Sequence, residues 1–163
     1  VYASASTPIG ERETAGELHD RLATLGADLL ARHLDAILDG SRRAEPQPDA
    51  GVTYASRIRK SDGRLNWQDS AMQLDQQVRA YVGWPVADTL LDGQQLRVWA
   101  VEPVPLESVA PPGTVVACDD DGVLVQTGDG GLRLLEVQAA GRARTSACDF
   151  ARGRELSGRL LGV

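Results

Sequence analysis

The spacing of apolar and polar positions changes period along this chain. Between Glu11 and Gly40, in "ERETAGELHDRLATLGADLLARHLDAILDG", apolar residues recur at Leu18, Leu22, Leu25, Leu29, Leu30, Leu34, Ile37 and Leu38. Steps of three and four put them on one face of an amphipathic helix. Thr14 is the expected N-cap, Glu17 completes a capping box three residues on, and Gly40 stands where a helix stops. The preceding "VYASASTPI" suits a strand that ends at Pro8. A leucine face this broad needs a cover, and one strand is too little. Residues 1–40 are therefore expected to be the end of a domain that begins upstream.

The segment "SRRAEPQPDAGV" has prolines, a glycine and no period, so it reads as a linker. "TYASRIRK" follows as extended chain, with Tyr54 and Ile58 as expected apolar anchors and Arg57, Arg59 and Lys60 facing outward. "WQDSAMQLDQQVRAYVGWP" reads as a second helix, with Ser70, Leu74, Val78 and Tyr81 on related faces, ended by Gly83 and Pro85. Trp84 and Pro85 are expected to be structural, packing against the first strand. From there to the end the chain is short β-rich runs split by "DG", "DDDG" and "GDGG", the turn signals of hairpins. One helix with five or six short antiparallel strands suits a partly open barrel of the OB-fold type. The expected class is mainly β with α, and the expected division is 1–40, a linker over 41–62, and a barrel over 63–163.

With 163 residues, 42% of them hydrophobic, the chain is long enough for one good core or two small ones. The net charge of −6 argues against a general nucleic-acid binder, but the average hides a pattern. Residues 1–40 carry three Arg against seven acids, and residues 65–140 three Arg against eleven. By contrast, residues 41–64 carry five Arg and the only Lys against three acids, and residues 141–163 five Arg against two acids. Positive charge is thus confined to two places, as a footprint on a phosphate backbone requires. Intramolecular pairing with the acidic blocks is the competing explanation. No apolar run approaches the roughly 18 residues of a membrane span, and no basic-then-apolar leader is visible. Cys118 and Cys148, far apart and without a second pair, indicate neither a zinc site nor a disulfide framework, and are read as buried or idle thiols in a reducing cytosol. His19 and His33 lie on the first helix without companion ligands and read as structural.

Catalytic constellations are thin. "GDGG" lacks the frame of a dinucleotide loop and the Lys-Ser/Thr of a P-loop, and "DDDG" lacks the further ligands of a calcium loop. No serine sits in a nucleophile elbow, and no histidine lies in the β-rich part to act as a base.

Several ordered stretches nevertheless resemble one family, the methionyl-tRNA formyltransferases, in their C-terminal portion. "ETAGELHDRLATLGADLL" is similar to the last helix of that family's catalytic domain, and "VTYASRIRKSDGRLNW" to its interdomain signature. "SAMQLDQQVRAYVGWPVADTLLDGQQLRVWAV" resembles the helix, Trp-Pro turn and first strands of its OB-like domain, and "GDGGLRLLEVQAAGRARTSACDF" its later strands. Asn66 stands where the family usually has aspartate, and "YVGWPVA" departs from its common Asn-Pro-Trp-Pro-Gly-Ala.

The resemblance implies that residues 1–40 are the terminal strand and helix of an α/β, Rossmann-like formyltransferase domain, followed by a basic linker and a tRNA-binding barrel. It implies a cytoplasmic, monomeric enzyme that moves a formyl group from 10-formyltetrahydrofolate to the amine of initiator methionyl-tRNA. The catalytic residues and folate pocket would belong to an N-terminal domain, so this part is expected to hold no catalytic residue, cofactor or metal. Arg42, Arg43, Arg57, Arg59, Lys60, Arg64, Arg142 and Arg144 match the regions that the family turns toward tRNA. Two other readings stand beside this one: a relative that formylates an amino-sugar nucleotide, and a structural domain whose arginines pair internally.

Overall fold

The computed structural model describes residues 1–107 and 110–163. The chain divides into two compact units, Val1–Arg57 and Ile58–Val163. The division falls inside the segment 41–62.

In the first unit, helix α1 spans Ala15–Leu38. Its capping box is formed: the Glu17 amide donates to Thr14 Oγ1 (3.4 Å), and the Thr14 amide donates to Glu17 Oε2 (2.8 Å). Gly40, at φ 78°, turns the chain away in a region that favours glycine. Arg21 ties the approach to the helix, donating to Glu13 (2.7 Å), to the Pro8 carbonyl (2.7 Å) and to Thr7. No residue of α1 is buried. The expected strand at "VYASASTPI" does not form; residues 1–9 have no ladder beyond the exchange of Val1 with Glu45. A strand exists only where a second edge takes up its amides and carbonyls, and among the described residues of this unit none does.

The second unit contains helix α2 (Ala71–Ala80), strands β1 (Ala87–Leu91), β2 (Gln94–Val104), β3 (Val115–Asp119), β4 (Gly122–Gln126), β5 (Gly131–Ala139) and β6 (Thr145–Ser146), and a short helix α3 (Ala147–Ala151). The sheet runs β1-β2-β5-β4-β3 with β6 paired to β5, every pair antiparallel. Asp92 and Gly93, both at positive φ (51° and 73°), make the tight turn between β1 and β2. Residues Gly158–Val163 then join both edges. Val115 donates to the Arg159 carbonyl (2.9 Å) and Leu161 to that of Gly113 (2.8 Å), while Gly162 donates to Leu90 (2.8 Å) and Gly93 to Val163 (3.1 Å). The six-stranded mixed α/β unit is consistent with the expected OB-like barrel.

Leu74 and Val78 of α2 pack with Val98, Val125, Leu132, Leu134 and Val137 of the sheet in one core. Full burial of each such side chain contributes about 1.5–3 kcal/mol. Trp67 enters this core and donates from Nε1 to Thr89 Oγ1 at 3.0 Å, which removes the cost of burying its N–H. The second helix is shorter than its apolar pattern: Ser70 is its N-cap and Tyr81 its C-cap. The tail, read as strands, contains α3 instead, capped by Ser146, which accepts from the Asp149 amide at 3.0 Å. Gly128 has no room for a side chain, since a Cβ there would sit 1.9 Å from the Gln68 carbonyl. No helix among the described residues is long and apolar enough to cross a membrane.

Candidate nucleic-acid interface

The basic stretch after Arg57 is built as a rigid turn. Residues Lys60–Gly63 form a 3-10 turn, closed by the Arg59 amide on Asp62 Oδ2 (2.8 Å) and the Arg64 amide on the Ser61 carbonyl (3.1 Å). Gln77 of α2 donates to the carbonyls of Asp62 (2.8 Å) and Arg64 (3.2 Å). On the other side the Leu65 amide donates to the Asp88 carbonyl (2.9 Å), and Gly63 lies so close to the Val86 carbonyl that a Cβ would approach it to 2.5 Å. The expected anchors are not the real ones. Tyr54 is 93% exposed and Ile58 43%, whereas Leu65 and Trp67 are buried. Apolar character alone did not distinguish them; burial follows from which residues reach the barrel.

The eight predicted basic residues divide by what they touch. Arg59 and Lys60 are exposed on the pinned turn, and Arg43 and Arg57 are exposed in the first unit. Among the described residues none of these four makes an ion pair. Arg42 donates from Nε to the Tyr2 carbonyl at 2.6 Å. Arg64 pairs with Asp88 at 3.0 Å, and Asp88, nearly buried, also accepts from Gln95 at 2.8 Å. Arg144 pairs with Glu136 and lies over the Trp99 ring, 4.0 Å from its centroid. Arg142, two residues away, is exposed at the rim of a cavity of about 620 Å³. That cavity also gathers Arg154 and Arg159, which the motif-based reading passed over although the charge excess of residues 141–163 contained them.

Trp84 is a second correction. It is 60% exposed, not packed against the first strand. The turn that carries it holds Gly83 and Val86 at positive φ (97° and 67°), and it is Val86 that is buried in its place. An exposed indole beside a cationic turn has the chemistry of a stacking platform.

The remaining polar groups are quiet. Cys118 lies on the surface and Cys148 is half-buried; both are free, and partial desolvation pushes the Cys118 thiol up from its ordinary value against a hydrogen bond with Ser157. His19 is exposed and His33 half-buried, both on α1. Among the described residues no group of three His, Cys, Asp or Glu side chains could hold a metal ion.

The C-terminal domain of the formyl transferases matches residues 57–155. The chain is 43% identical over its whole length to the methionyl-tRNA formyltransferase of Methylococcus capsulatus, covering 53% of that protein. It is 38% identical to that of Geobacillus thermodenitrificans over 94% of the chain and 48% of the relative. The chain thus spans about half the length of the curated relatives it matches. Among solved structures, a variant of HypX from Aquifex aeolicus superposes with a TM-score of 0.69 over 94% of this chain and 28% of its own, at 17% identity, a likeness of fold.

Proposed function

Because this chain belongs to the formyl transferases through their C-terminal domain, we propose that it binds and positions initiator methionyl-tRNA for formylation. The observation that carries this reading is its identity of 43% to a methionyl-tRNA formyltransferase in an alignment that spans the whole chain. In the reaction so assigned, a formyl group passes from 10-formyltetrahydrofolate to the amine of methionine on the tRNA. The residues that do this chemistry are assigned to an N-terminal half. The second unit, which has no histidine, works by holding the ligand.

Arg57, Arg59 and Lys60 are the centre of the proposed contact. Their charges are exposed and uncompensated, so each can meet a phosphate without first breaking a pair. Such contacts position a nucleic acid without reading its sequence. The pinned turn removes backbone freedom that binding would otherwise cost. Arg64 and Arg144 serve differently: their ion pairs with Asp88 and Glu136 favour a bracing role for these two.

The test is tRNA affinity at several salt concentrations, for the 163-residue chain and for its Arg57→Ala, Arg59→Ala, Lys60→Ala triple variant. The variant should bind initiator and elongator tRNA more weakly to a similar degree, and the slope of log K against log salt should flatten by roughly two to three units. Its thermal melt should not move. An unchanged slope with a lowered melting point would mean that the strip braces the fold. Formyl transfer to Met-tRNA by the isolated chain would refute the assigned division of labour.

A further inference from the structure

The cavity at the barrel mouth has a floor and a rim of different chemistry. Leu91, Leu96, Phe150 and Leu156 make the floor and also line the narrow apolar space beneath it. The rim carries Arg142, Arg154 and Arg159 against Asp92 and Glu155. Arg159 offsets one of these carboxylates, pairing with Asp92 at 3.1 Å. Arg154 lies over the Phe150 ring, 4.4 Å from its centroid, and donates from Nη1 to the Phe150 carbonyl, so its guanidinium plane is held by both ring and backbone. Arg142 makes no ion pair among the described residues.

We infer that this cavity takes one unpaired nucleotide, its base stacked on the Arg154 guanidinium and its phosphate held by Arg142. The volume of about 620 Å³ is within the range of small-ligand sites, and barrel mouths are a usual place for them. A base stacks on guanidinium planes as it does on aromatic rings, so it would extend the Phe150–Arg154 pair by one layer. Planar guanidinium forks match phosphate oxygens two at a time. A simple anion would leave the Arg154 guanidinium face without a stacking partner, and an uncharged apolar ligand would leave the arginines without a counter-charge. A nucleotide satisfies both halves. The inference rests on the tRNA reading for its source, an unpaired nucleotide of a bound RNA strand; a free mononucleotide offers the same chemistry.

The test follows the Phe150 ring resonances of the 163-residue chain by NMR during separate titrations with adenosine monophosphate, inorganic phosphate, a single-stranded RNA hexamer and an RNA duplex. Adenosine monophosphate and the hexamer should shift these resonances; phosphate and duplex should not. Arg154→Ala, and Arg154→Lys which keeps the charge but loses the plane, should each weaken nucleotide binding by about tenfold or more with an unchanged melt. Tighter binding of the hexamer than of the mononucleotide assigns the site to an RNA strand, and equal binding assigns it to a free nucleotide. Phosphate shifting the ring as far as the nucleotide overturns the inference, as does wild-type binding by Arg154→Lys. The two readings fail separately. Binding of tRNA that depends on Arg57, Arg59 and Lys60 but not on Arg154 sinks the cavity alone, whereas mononucleotide binding without tRNA binding supports the cavity and sinks the tRNA reading.

Discussion

Each unit of this protein carries an amphipathic helix, and the two helices meet opposite fates. α1 has 24 residues and buries none of them; α2 has ten and buries Ala71, Leu74, Asp75 and Val78. Among the described residues, every buried hydrophobic side chain lies between Leu65 and Leu161. Leu22, Leu30, Leu34 and Leu38 of α1 remain between 41% and 75% exposed. An apolar stripe therefore states that a face is to be covered, not that the same unit covers it. For α2 the cover is the sheet. Under the proposed function, the cover for α1 is the catalytic half of the enzyme.

Truncating one leucine in each unit exposes the difference between the units most directly. All three tryptophans, Trp67, Trp84 and Trp99, lie in the second unit, so tryptophan fluorescence reports that unit by itself. Leu132→Ala, at a fully buried position of β5, should lower its stability by about 2–5 kcal/mol, read as a shift of the denaturant midpoint of fluorescence. Leu30→Ala on α1 should change stability by less than about 0.5 kcal/mol, read as the denaturant midpoint of helical ellipticity at 222 nm. Similar losses at both sites would show that α1 is packed in solution.

A smaller effect is expected from Thr14→Ala, which removes the hydroxyl that accepts from the Glu17 amide. Loss of such a cap costs about 1 kcal/mol, and in a helix with no core beneath it the cost should appear as fraying. Helical ellipticity at 222 nm should fall while the fluorescence midpoint stays. A moving midpoint would mean that the units do not melt independently.

The smallest effect concerns acid. The Thr14 amide and hydroxyl hold the Glu17 carboxyl below its ordinary 4.5, and the Arg21 guanidinium does the same for Glu13. Both values are depressed in the folded state. Their contribution is therefore complete above the unfolded value and is lost as pH falls through the lowered folded ones. Ellipticity should begin to decline below about pH 4 with fluorescence still native. Coincident acid transitions would erase the distinction between the units.

What could be read from residue order alone follows the range of the interaction. The capping box of Thr14 and Glu17, the stop at Gly40 and the turn at Asp92–Gly93 are settled within a few residues, and each is legible. α3 was legible too, from Ser146 with Asp149 three residues on, but its five residues were lost among β-like neighbours. Trp84 failed for another reason. Whether that ring faces the core depends on how residues 83–86 turn against Gly63, a contact of distant segments. The same limit applies to the basic residues. Charge counting located both clusters, but only the fold separates Arg59 and Lys60 from Arg64, which Asp88 pairs, and joins Arg142 to Arg154 and Arg159.

The segment Gly158–Val163, bonded to β1 on one side and to the start of β3 on the other, has a consequence for self-association. A sheet with two open borders offers two rows of unpaired amides and carbonyls on which another chain can align. Here one strip of backbone covers the end of β1 and the start of β3, so a single cut between Arg154 and Gly158 would loosen both stretches together. Controlled digestion at that loop should promote edge-to-edge polymerisation, and an added peptide of sequence "GRLLGV" should suppress the polymer by reoccupying the seam.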